Sequence, residues 1–71
     1  MQQQEQILCA ILDAGELLLT AGAEVARVED TIRRMAAAYG FGRADVLTIT
    51  ASMIVTAQSN DGAVLTQTRR I

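Results

Sequence analysis

The densest group of side chains that could do chemistry is the segment from Glu24 to Asp30. It carries acids at positions 24, 29 and 30 and a base at Arg27. A half-buried carboxylate beside a guanidinium could hold the amino and carboxyl ends of an amino acid, or could transfer a proton. The same spacing is typical of a solvated helix face that carries ion pairs one turn apart. Four such pairs are predicted: Glu24/Arg27, Arg27/Asp30, Glu29/Arg33 and Asp30/Arg34.

Glu24 is the acid of this segment that we expect to be half-buried. At about 100° per residue it lies on the shoulder of the apolar stripe of its helix. Arg27 and Glu29 flank opposite sides of that stripe, and Asp30 faces away from it. Burial or a nearby arginine would shift the pKa of Glu24.

The remaining candidates are weaker. Asp13 and Glu16 lie three residues apart on an earlier helix flank, where they could add acids near Glu24 or form a solvated pair. Cys9 is predicted to be an ordinary small residue, since the chain has no histidine to activate it. One cysteine and no histidine also leave no zinc site or disulfide within one chain. We expect no metal, cofactor or catalytic residue; acid–base chemistry by Glu24 or Glu29 is the alternative.

Two helices must position these residues. Apolar side chains recur on one face from about Glu5 to Thr20 and again from about Ala23 to Tyr39. The second stripe consists of Val25, Val28, Ile32, Met35 and Tyr39.

Three glycines are predicted to pack or cap these helices. Gly15 falls inside the first stripe, which predicts that another backbone approaches closely there. Gly22 is predicted to end the first helix as a left-handed cap, and Gly40 to end the second. Leu17 lies opposite the first stripe and is a candidate for a second contact surface.

A strand pattern follows Arg43. β-Branched residues alternate with a period of two up to Thr50, and the pattern resumes at Met53–Gln58 and at Ala63–Arg70. Ser59–Gly62 reads as a hairpin turn, and a tight turn is favoured over a bulge near Ala51. The predicted fold is α+β, with an antiparallel helix hairpin packed on a three-stranded antiparallel sheet in the order α-α-β-β-β. Five threonines would line the strand faces: Thr48, Thr50, Thr56, Thr66 and Thr68.

Composition narrows the class of protein. Seventy-one residues make at most one domain, and a net charge of −2 argues against nucleic-acid binding. The sequence has no secretion signal and no apolar run long enough to span a bilayer, so we expect a soluble cytoplasmic piece. The thin aliphatic core and an open edge strand predict a homo-oligomer. The strand-like pattern continues to Ile71, which suggests a fragment of a longer chain.

Three segments combine glycines, acids and one arginine at fixed offsets: Ala14-Gly15-Glu16-Leu17-Leu18-Leu19, Ala21-Gly22-Ala23-Glu24 and Arg27-Val28-Glu29-Asp30-Thr31-Ile32. In these segments the chain resembles the N-terminal region of the threonine/serine exporter family. The likeness continues through Tyr39-Gly40 and, more loosely, through the threonine-rich strands to Ile71.

The resemblance implies an inner-membrane protein in which a soluble cytoplasmic region precedes several membrane-spanning helices. Such proteins are associated with export of threonine and serine or, in a related branch, of dicarboxylates such as succinate. Five positions would be functionally meaningful: Gly15, Gly22, Glu24, Arg27 and Glu29. Of these, Glu24, Arg27 and Glu29 become candidates for substrate binding or gating.

On this interpretation, residues 1–71 are a single soluble N-terminal domain without the membrane-spanning region that transport needs. Its expected partners are that missing region or a partner membrane subunit, a second copy of itself, and a small amino-acid or dicarboxylate ligand. The alternatives are a self-associating assembly module and a subunit of a dicarboxylate exporter.

Overall fold

The computed structural model describes residues 2–49 and 51–71 as two helices followed by three strands. The elements are α1 (Gln2–Thr20), α2 (Val25–Ala38), β1 (Phe41–Ile49), β2 (Ser52–Ser59) and β3 (Val64–Arg70). The strands form one antiparallel sheet in the order β1-β2-β3. The predicted α+β architecture is confirmed.

Two glycines with positive φ end the helices. Gly22 has φ +96°, and the amide of Ala23 donates to the carbonyl of Leu18 at 3.1 Å, which closes the joint between α1 and α2. Gly40 also has φ +96° and follows Tyr39, the C-cap of α2. A side chain at either glycine would meet the steric cost of this left-handed region, so both predicted caps are confirmed.

The core lies between the helix hairpin and one face of the sheet. Its members are aliphatic except for one phenylalanine and one methionine: Leu8, Ile11, Leu12, Val28, Ile32, Ala36, Phe41, Met53, Val55 and Ala57. The stripe predicted for the second helix is wrong at both ends, because Val25 is 43% exposed and Tyr39 is 61% exposed. Val25 is the first helical residue and Tyr39 follows the last, so both project past the core. Ala36 is buried in their stead.

Gly15 marks the closest packing of α1. A Cβ built there would lie 2.7 Å from Cδ1 of Ile32 and 3.3 Å from Cε of Met53. The predicted close approach is therefore present, but it is made by side chains of α2 and β2 and not by another backbone. Since Ile32 and Met53 are fully buried, they can retreat only by displacing other core residues.

Side chains of β2 alternate between the two faces of the sheet. Met53, Val55 and Ala57 point at the helices, and the residues between them point away. β1 begins at Phe41, earlier than predicted, and its register against β2 shifts between Phe41 and Arg43, so Gly42 lies in a bulge.

Both predicted turns are consistent with the sheet. Ile49 lies opposite Ser52, as a tight connection between β1 and β2 requires, although Thr50 falls outside the described residues. The second turn joins β2 to β3, with Gly62 at φ +93°. There the amide of Ser59 donates to the carbonyl of Ala63 at 2.8 Å, as the hairpin prediction requires.

Candidate functional site

Glu24 and Arg27 lie on the first turn of α2 with exposed side chains. Glu24 is the N-cap residue, in extended geometry (φ −65°, ψ 143°), and its carboxylate forms no capping hydrogen bond. The prediction that Glu24 is half-buried is wrong, because Glu24 lies one helical turn before Val28, the first buried residue of α2. Among the described residues, neither Glu24 nor Arg27 belongs to an ion pair.

Glu29 lies on another flank of α2 and is half-buried. Its Oε2 accepts a hydrogen bond from the backbone N–H of Thr48 at 3.0 Å. Thr48 belongs to β1, which within the described residues is an edge strand whose outward amides have no neighbouring strand to pair with. Glu29 therefore ties α2 to the sheet and satisfies an edge amide.

The three candidates do not converge on one point. Successive residues of a helix turn by about 100°, so Arg27 and Glu29 point in nearly opposite directions around α2. Of the four predicted pairs, the described residues contain one, between Nε of Arg34 and Oδ2 of Asp30 at 2.9 Å. The described part of the chain encloses no detectable pocket and no cluster of three or more potential metal ligands.

The densest polar cluster of the structure is one that the sequence did not reveal. Nη1 of Arg69, on β3, donates to Oδ1 of Asp13 at 2.6 Å and to Oε1 of Glu16 at 2.9 Å. Its Nη2 lies 3.5 Å from the carbonyl oxygen of Cys9 and 3.6 Å from Sγ of the same residue. We call Cys9, Asp13, Glu16 and Arg69 the Arg69 cluster.

The Arg69 cluster fixes α1 against β3. The Arg69 side chain is 22% exposed, whereas those of Glu16 and Asp13 are 37% and 65% exposed. The hydrogen bonds to Glu16 and then Asp13 raise the pKa of the Arg69 guanidinium, so it stays charged at any physiological pH. One oxygen of each acid accepts a hydrogen bond from this guanidinium. The arrangement therefore suits holding α1 against β3 better than proton transfer.

One sequence signal could have located this cluster. Residues 65, 67 and 69 of β3 point at the helices, so an arginine at position 69 faces inward on an edge strand. A charge in that position requires an acidic partner on the covering helix, and Asp13 and Glu16 are such acids on α1. Their spacing on the helix predicts a solvated pair or a place near Glu24, whereas the structure joins them to Arg69.

The fold defines a small two-layer α+β domain with charged groups on its helix flanks. A family model described as "Putative threonine/serine exporter" (ThrE) matches residues 10–71. Since this match spans most of α1 and every later element, the chain belongs to the threonine/serine exporter family. No curated protein and no solved structure matches it significantly. Within residues 2–49 and 51–71, neither helix combines the length and the apolar character needed to cross a membrane.

Proposed function

We propose that this chain is the cytoplasmic domain of an inner-membrane exporter of threonine and serine. The family match over residues 10–71 is the observation that carries the proposal. A helix that crosses the bilayer core needs about 20 predominantly apolar residues. The proposal therefore assigns the path across the membrane to another region of the same polypeptide or to a partner subunit.

Glu24 and Arg27 are the groups best placed to meet the substrate or the membrane region. Both are exposed on one turn of α2, and neither is used in an ion pair within the described residues. A carboxylate and a guanidinium complement the ammonium and carboxylate groups of an amino acid. Since the described residues enclose no pocket, the substrate would be held between this turn and the membrane region as the exporter opens.

Glu29 has a different role in this proposal. Its carboxylate already accepts the Thr48 amide, so its contribution is to hold α2 in place on β1. The chain performs no catalytic step in the proposal.

Efflux of labelled threonine and serine from preloaded cells tests the proposal. The exporter that contains this domain is compared with variants Glu24→Gln and Arg27→Gln. Loss of one charge-assisted hydrogen bond should slow efflux by about tenfold. Asp30→Asn is the matched control, because Asp30 lies on the same helix but pairs with Arg34; its efflux should stay unchanged at equal amounts of exporter in the membrane.

Two results would contradict the proposal. Equal efflux in all variants would remove Glu24 and Arg27 from substrate handling or gating. Efflux of succinate without efflux of threonine or serine would show that the substrate class is wrong.

A further inference from the structure

One whole face of the sheet has no cover among the described residues. The helices pack on the other face, where the core lies. We call the uncovered side the outer sheet face. It consists of Arg43, Asp45, Leu47, Ile49, Ser52, Ile54, Thr56, Gln58, Val64, Thr66, Thr68 and Arg70.

Three large aliphatic residues adjoin on this face. Leu47 lies directly opposite Ile54 in the β1–β2 register, and Ile49, opposite Ser52, is the diagonal neighbour of Ile54. Leu47 and Ile49 are each 52% exposed. The solvated face of an antiparallel sheet usually carries polar residues. A contiguous group of apolar side chains on that face therefore indicates a contact surface.

Opposite charges flank this corner symmetrically. Asp45 lies on β1, the strand next to that of Ile54. It is opposite Thr56, which is two residues after Ile54 on β2. Arg70 lies on β3, the neighbouring strand on the other side of β2. It is opposite Ser52, which is two residues before Ile54 on β2. Ile54 is therefore the midpoint between an exposed acid and an exposed base. Arg70 belongs to no ion pair within the described residues, and Asp45 has only an exposed contact of 3.4 Å with Arg43.

We propose that a second copy of this chain packs its outer sheet face against the first across a two-fold axis through Ile54. That axis places Ile54 against its own symmetry mate and brings the two apolar corners together. It also places Asp45 of each copy over Arg70 of the other. The two-fold dimer therefore contains one central apolar contact and two ion pairs. With ordinary strand spacings the strands of the two sheets cross at about 70°, which resembles the orthogonal class of sheet packing.

Charge favours a second copy over a lipid surface. The outer sheet face carries two arginines and one aspartate, and the chain as a whole has a net charge of −2. Attraction to anionic lipid requires a larger basic excess. Three strands of this length present only roughly 14 by 26 Å, so the interface falls at the small, weak end of the range for specific contacts.

Sedimentation equilibrium from about 10 μM to about 1 mM tests the proposal, a range that covers weak dimers. The native chain should dimerise within it. Asp45→Arg sets two arginines against each other across the axis, and Arg70→Asp sets two aspartates against each other. Each variant alone should therefore dimerise at least about tenfold more weakly.

An equimolar mixture of Asp45→Arg and Arg70→Asp is the decisive sample. In the mixed dimer every facing pair is again of opposite charge, so dimerisation should return to about the native strength. The matched controls are Glu24→Arg and Arg27→Glu, exposed changes of the same kind on α2. Each should dimerise as the native chain does.

Several outcomes would overturn the proposal. These are a native chain that is monomeric at about 1 mM, single variants that dimerise normally, a mixture of two folded variants that stays monomeric, or controls that lose dimerisation equally. Circular dichroism establishes that the variants are folded. If either is not, Thr68→Arg replaces it, because an uncompensated charge next to Ile54 should weaken dimerisation by the same order.

Discussion

Gly15 shows how one absent side chain determines the distance between elements. The Cδ1 atom of Ile32 occupies the space that a β-carbon at position 15 would need, at 2.7 Å from it, and Cγ1 lies at 3.1 Å. Glycine inside a helix costs about 1 kcal/mol relative to alanine. Here the fold gains a tight junction of α1, α2 and β2 in exchange.

We predict that Gly15→Ala lowers the free energy of unfolding by about 1 kcal/mol, because overpacking outweighs the better helix propensity. Ile32→Val alone should cost about 1 kcal/mol, but in the Gly15→Ala chain it should cost almost nothing, since it removes the clashing Cδ1. Urea unfolding of the native chain, the two single variants and the double variant measures these free energies. Simple addition of the two costs would show that the residues do not compete for space.

At the scale of elements, the β2–β3 hairpin depends on a carboxylate. The hydroxyl of Ser59 and the amide of Ala63, the latter at 3.1 Å, both donate to Oδ1 of Asp61. These hydrogen bonds, the one from Ser59 first, lower the pKa of Asp61 below its ordinary value of 3.8. Stability from this group is therefore present above that ordinary pKa and is lost as the pH falls through the lowered value.

We predict that the melting temperature falls between about pH 4 and pH 2 and that Asp61→Asn makes this fall shallower. Thermal melts over this range measure the effect. Ser59→Ala is the control by NMR titration, because loss of its hydroxyl should return the pKa of Asp61 towards 3.8. An unchanged Asp61 titration in that variant would contradict the assigned cause.

The accuracy of the sequence-based prediction also differs between elements. Both helices, the hairpin turn and the caps at Gly22 and Gly40 follow from patterns within a few residues, and all were predicted. The exposure of Glu24 was not, because helical phase shows which way a residue points and not where the core ends. Local spacing predicted the pair between Asp30 and Arg34 because the two residues lie one helical turn apart. It could not predict the contacts of Arg69, because those partners lie on another element.

At the scale of the molecule, polar contacts close both flanks of the two layers. Glu29 joins α2 to the edge strand β1 at 3.0 Å, and the Arg69 cluster joins α1 to β3. The partners of Arg69 are 56 and 53 residues away in sequence. No pattern within one element contains such a pairing, so local spacing alone does not identify the partners of Arg69.

Arg69 and Arg70 are neighbours with opposite orientations, which offers an internal control. We predict that Arg69→Met lowers the free energy of unfolding by about 1–2 kcal/mol, discounted because Asp13 and Glu16 are partly solvated. Arg70→Met should change it by less than about 0.5 kcal/mol. Urea unfolding at low micromolar concentration measures both. The difference between the two losses should narrow near 1 M salt, because salt weakens partly solvated ion pairs such as those of Arg69. Equal losses in both variants would contradict the prediction.

The connectivity of the meander has a kinetic consequence. Each of α2, β1, β2 and β3 lies beside its predecessor in the chain, so most of the structure can form by closing short loops, at a small entropic cost. Among the described elements, only the union of α1 with β3 must bring together groups more than fifty residues apart. We therefore expect this seam to be the last to close during folding and the first to part in transient openings of the native protein, which amide hydrogen exchange would measure.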